Sequence, residues 1–110
     1  MEFEKSKLLE LKEKFDSIIN TEEKDNIEFW YARDLQIQLG YKRWENFIET
    51  IKKAMKSCEN AGIEVDNHFR EVTKMVQIGS GARRNLQDYM LTRYACYLIA
   101  QNGDSKKEEI

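Results

Sequence analysis

Arg83 and Arg84 follow directly on Gly79-Ser80-Gly81-Ala82 in the stretch "QIGSGARRNLQDYM". Glycines let a backbone turn approach a phosphate closely, and two adjacent guanidinium groups can hold its oxygens. A second set of cations, Lys42, Arg43, Lys53 and Lys56, lies in "KRWENFIETIKKAMKS" with Asn46 among them, and Lys74 adds one more ahead of the turn. Such cations displace the counterions condensed on a nucleic acid, while Asn and Arg can bond base edges in a bidentate manner. These eight residues are the candidate DNA-contacting set. The plain alternative is a solvated helical face, since Glu49 and Lys53 stand at pairing distance on a helix.

Other chemistry finds less support. Gly79-Ser80-Gly81 lacks the Gly-Lys-Ser/Thr ending of a nucleotide-binding loop and sits between two β-prone runs rather than between a strand and a helix. His68, the one histidine, has Asp66 nearby in sequence, but "VDNHF" reads as a loop entering a strand, so the chain is expected to be no enzyme. Cys58 and Cys96 lie 38 positions apart and give no zinc-ligand spacing. Both fall in apolar helical stripes and are expected to be buried, reduced thiols. Neither a metal nor a cofactor is implied. Without a signal peptide or an apolar run of membrane-spanning length, a cytoplasmic protein is expected.

The elements that must position these groups follow from pattern. The 110 residues, 41% apolar and 35% charged, suit one domain with a modest core. Net charge is −2, but its distribution is uneven: residues 1–26 hold five basic and eight acidic side chains, residues 41–57 five against two, and residues 69–91 four against two. Phe3, Leu8, Leu11, Phe15, Ile18 and Ile19 mark an N-terminal amphipathic helix, followed by a solvated acidic loop to Asn26. Residues 27–31 are β-prone and lead into a short helix ending at Gly40. Trp44, Phe47, Ile48, Ile51, Met55 and Cys58 form the apolar stripe of a longer helix that stops at Gly62. Two helices separated by "GYK" predict a helix-turn-helix pair. Runs on either side of "GSGA" predict a β-hairpin, with a slip in alternation around Thr73–Met75 that leaves room for a bulge or bend. Thr92 is placed to cap a final helix, apolar nearly all round, that ends at Asn102-Gly103. Trp44, Tyr94 and Tyr97 are read as core; Trp30 and Tyr41 stay open between core packing and base stacking. Ser105 and Glu108, at capping-box spacing, suggest another helix and a chain that continues. The expectation is an α+β fold: a helix-turn-helix core, a β-hairpin wing and a buried C-terminal helix, with residues 1–26 as an N-terminal helix and acidic loop preceding the domain at 27–110.

Three stretches, "FWYARDLQIQLGY", "ENAGIEVDNHF" and "VQIGSGARRNLQDYMLTRYACYLIAQNGD", resemble the N-terminal domain of the DNA-damage-inducible protein D family, which is similar to the BRO-N domain of phage antirepressors and large DNA-virus proteins. The resemblance covers residues 27–110. It implies a bacterial or phage protein of the SOS or antirepressor type whose domain binds DNA. It also implies an alternative, a protein-interaction module, since that branch is associated with inhibition of a RecA-type recombinase. It assigns no individual residue, so the eight candidates rest on their chemistry.

Overall fold

The computed structural model describes residues 5–103. Among these, four helices and one four-stranded antiparallel sheet form an α+β fold. The helices are α1 (Lys5–Asp16), α2 (Ala32–Gln38), α3 (Trp44–Asn60) and α4 (Arg93–Asn102). The strands are β1 (Asn20–Glu22), β2 (Ile27–Tyr31), β3 (Phe69–Gln77) and β4 (Arg83–Leu91), in the spatial order β1-β2-β4-β3.

Helix spacing places the core. On α3, Phe47, Ile51, Ala54 and Cys58 recur every three or four residues and are buried against α4, which contributes Ala95, Cys96, Leu98 and Ile99. The Thr92 hydroxyl accepts from the Ala95 N–H (3.2 Å) and caps α4 as its sequence predicts. On α1, Leu11 and Phe15 reach the same core. Burying a side chain such as Phe15 contributes roughly 1.5–3 kcal/mol. The Trp30 indole N–H donates to the Phe15 carbonyl (2.8 Å), which ties α1 to β2. Trp30 and Tyr41, open in the sequence, are both core residues, and Trp44, Tyr94 and Tyr97 pack half-buried against them. Both thiols are buried and unbridged, and burial pushes each away from thiolate formation.

Two sequence expectations need correction. Asn20 and Thr21 are not loop: they form β1, paired Asn20↔Phe29 and Thr21↔Glu28. A polar strand held by its backbone bonds carries no hydrophobic alternation to read. Nor is there a bulge near Thr73. The β3–β4 register runs unbroken from Phe69↔Leu91 to Gln77↔Arg83. The alternation slips because Lys74 occupies a position in the Val72–Val76 row. Its ammonium sits 3.3 Å from the Tyr31 ring centroid and 3.0 Å from Asp88 Oδ2. A paired cation, rather than an extra residue, breaks the pattern.

Two glycines set chain direction. Gly40 (φ +83°) ends α2 in the left-handed region, which lets the chain turn into α3. At the hairpin tip Ser80 (φ +64°) and Gly81 (φ +79°) are both left-handed, and the Ile78 N–H donates to the Ala82 carbonyl (2.8 Å). Ser105 and Glu108 lie outside the described residues. No helix among the described residues is long and apolar enough to cross a membrane.

Candidate nucleic-acid interface

The side chains of β4 alternate between two faces. Arg83, Asn85, Gln87, Tyr89 and Leu91 share one, and Arg84, Leu86, Asp88 and Met90 share the other. The first row runs from the core outward: Leu91 and Tyr89 are buried, Gln87 is half-buried, and Asn85 and Arg83 are exposed. At Gln87 this row meets α3. The Trp44 indole N–H points at Gln87 Oε1 (3.4 Å), and Gln87 Nε2 donates to Glu71 Oε2 (2.7 Å).

Arg33 closes the junction. Its guanidinium carbon lies 4.1 Å from the Trp44 ring centroid, and its Nε donates to the Gln87 carbonyl (2.8 Å). A stacked, bonded guanidinium has a fixed orientation, and its two terminal nitrogens still carry donors. No carboxylate among the described residues pairs with it. Three elements thus converge on Arg33, Trp44 and Gln87, with Lys42 and Arg43 immediately before Trp44 and Asn46 two residues after it. All three are exposed.

The other candidates separate. Lys53 and Lys56 stand exposed farther along α3, about 14 and 18 Å from Trp44 by helix rise. Glu49 shares their stripe, and Lys56 is paired with Glu59 (3.1 Å). Arg83 continues the Gln87 row, whereas Arg84 points to the opposite face, so the two arginines do not form one cationic pair. Lys74 is engaged by Asp88 and Tyr31.

Asp88 explains how the hairpin is held. Its side chain is fully buried, and Oδ1 accepts from the backbone N–H groups of Arg33 (3.1 Å) and Tyr89 (2.8 Å). Tyr31, the N-cap residue of α2, makes no side-chain cap hydrogen bond. A carboxylate from β4, 55 residues on, takes that place and complements the positive end of the helix. The contact of Lys74 with Oδ2 is an ion pair out of hydrogen-bond alignment. Charge and capping together fix the hairpin root to α2.

The BRO family, N-terminal domain, matches residues 18–110. The chain belongs to the BRO family. This BRO-N chain is also similar to the DNA damage-inducible protein D of Escherichia coli (strain K12), with 49% identity over 83 residues. That alignment covers 76% of the present chain and 30% of the relative, so the chain spans under a third of the relative's length. No solved structure matches it.

Within this BRO-N fold, Arg33 and Gln87 are the candidate residues that sequence reasoning passed over. Arg33 stands alone between Ala32 and Asp34 in a short helix, and an isolated charge carries no periodic signal. Gln87 falls in a strand where polar residues are ordinary. The available hint was Trp44, whose flat ring offers a surface on which a guanidinium stacks.

Proposed function

We propose that this BRO-N domain binds DNA, without catalysing a reaction, as part of a damage-response or phage-type regulator. One observation carries the reading: the start of α3 and the outward row of β4 meet at Arg33, Trp44 and Gln87, so that Arg33, Lys42, Arg43 and Asn46 flank a single junction, with Arg83 farther out along the same β4 row. In this reading α2 and α3 act as a helix-turn-helix pair and the β3–β4 hairpin as its wing. Cations around that junction neutralise phosphates, and Asn46 offers a side-chain amide for a base edge. The relative's name refers to induction by DNA damage, which supports a place in the response to such damage.

The test is a titration of duplex and single-stranded DNA over a range of salt, followed by amide chemical-shift mapping. Affinity should fall steeply as salt rises, with the largest shifts at residues 33, 42–46 and 83–87. Absence of binding to either form at low ionic strength would refute the reading and leave a protein-binding module, directed at a recombinase, in its place.

A further inference from the structure

Residues 77–85 are exposed without interruption, on both faces of the hairpin. Between residues 72 and 87 there is no acidic side chain, while Lys74, Arg83 and Arg84 are all basic. The tip, Gly79-Ser80-Gly81, carries no bulky group. Arg83 and Arg84 are adjacent in a regular strand, so their guanidinium groups leave the ribbon in opposite directions. No carboxylate among the described residues pairs with either; the Arg83 guanidinium points at the Met75 sulfur (3.8 Å) across the strand pair.

A wing lying flat along a phosphate backbone would use one face and turn the other arginine to solvent. A ribbon that enters a groove tip-first, with its faces toward the two walls, uses both. Dimensions select the groove. A two-stranded ribbon with side chains on both faces is about 10 Å thick, which the major groove (about 12 Å wide) admits and the minor groove (about 6 Å) does not. Arg83 and Arg84 belong to the first two residue pairs below the turn, within about 7 Å of strand rise, against a groove depth of about 8.5 Å. At that depth their side chains reach the phosphates lining the walls. Ile78, half-exposed beside the tip, meets the groove floor, where a thymine methyl offers apolar contact.

We infer that the outer half of the β3–β4 hairpin inserts tip-first into the major groove of duplex DNA, with Arg83 and Arg84 bonding phosphates on opposite strands. This rests on the DNA-binding reading and adds to it the form of the ligand and the posture of the arm.

The experiment measures affinity of the 110-residue chain for a mixed-sequence duplex of about 20 base pairs, and for either strand alone, as a function of salt. Arg83→Ala and Arg84→Ala should each lower the duplex salt slope by about 0.9, and the double variant by about twice that. Both positions are exposed, and unchanged thermal melting confirms that the variants fold. A silent arginine, with the wild-type slope kept by one variant, overturns the inference, as does an equal pair of losses on single strands, which have no facing walls. A second measurement uses Ser80→Cys carrying an iron chelate that generates hydroxyl radicals. Cuts on both strands within a few base pairs support insertion, and cuts on one strand alone overturn it. If the unmodified chain binds neither form of DNA, both readings fall together; if it binds with one arginine silent, only the arm falls.

Discussion

Arg93 and Arg83 lie ten residues apart in the chain and in opposite electrostatic situations. Arg93, at the start of α4, is bonded by Glu28 (Nε to Oε1, 2.9 Å) and by Asp16 (Nη2 to Oδ1, 3.2 Å), and its guanidinium lies 4.9 Å from the Trp30 ring centroid. It ties α1, β2 and α4 together, and these bonds raise its affinity for its proton. Arg83 and Arg84 are exposed and meet no carboxylate among the described residues. Lys74 is intermediate, 35% exposed and held by a buried aspartate. The comparison teaches that a cation's partners, more than its charge, separate structural use from ligand contact. A guanidinium already bonded by two carboxylates has little left to gain from a phosphate.

The comparison can be broken most forcefully at Asp88. Asp88→Ala leaves two backbone N–H groups near the core without an acceptor and removes the counter-ion of Lys74. Unfolding by denaturant should show a loss of about 2–3 kcal/mol, and amide exchange should quicken first at the hairpin root. If stability is unchanged, Asp88 does not hold the arm.

Next in size is the contrast in DNA affinity. Arg33→Ala should weaken duplex binding several-fold and lower the salt slope by about 0.9, whereas Arg33→Lys keeps the charge but loses the fork and the stacking. A lysine variant indistinguishable from wild type in affinity would show that position, rather than geometry, is what matters there. Arg93→Ala should leave the salt slope alone, and a drop comparable to that of Arg83→Ala would erase the distinction drawn above.

Arg93→Ala should instead cost stability, by at most about 1 kcal/mol because the cluster is partly exposed to solvent. The effect depends on pH. Hydrogen bonds from Lys12 and then Arg93 hold the Asp16 carboxyl below its ordinary range, and Arg93 does the same for Glu28. A carboxylate whose folded pKa is depressed contributes fully above the unfolded value and loses that contribution as pH falls through the folded one. The difference between wild type and Arg93→Ala should therefore be constant at neutral pH and shrink from about pH 4 downward. A difference that grew on acidification would contradict the assignment.

The smallest effect belongs to the arm itself. Met75→Ala, at a residue 60% exposed, should change unfolding free energy by less than about 0.5 kcal/mol. A larger loss would mean that the outer hairpin packs on something, against its exposure on both faces.

How much was legible follows from the range of the forces involved. The apolar stripe of α3, the Thr92 cap, the turn at Gly79–Gly81 and the two buried thiols depend on neighbours within a few residues, and each could be read from spacing. β1 could not, because a polar strand is defined by whom it pairs with. The slip at Lys74 is visible in the sequence, but the choice between a bulge, a bend and a paired cation depends on Asp88 and Tyr31, which are distant in sequence.

The candidate site divides in the same way. Charge distribution and spacing determined that the middle of the chain is basic, that Lys42, Arg43, Asn46, Lys53 and Lys56 would be exposed, and that two arginines would stand at a hairpin tip. Only the tertiary structure decided that Arg33 and Gln87 join them, that Lys74 is engaged elsewhere, and that Arg83 and Arg84 face apart. Local patterns fix which residues reach water, because that follows from the period of a helix or strand. Convergence of side chains from α2, α3 and β4 depends on contacts across 11 to 54 positions of chain, and no local period encodes those.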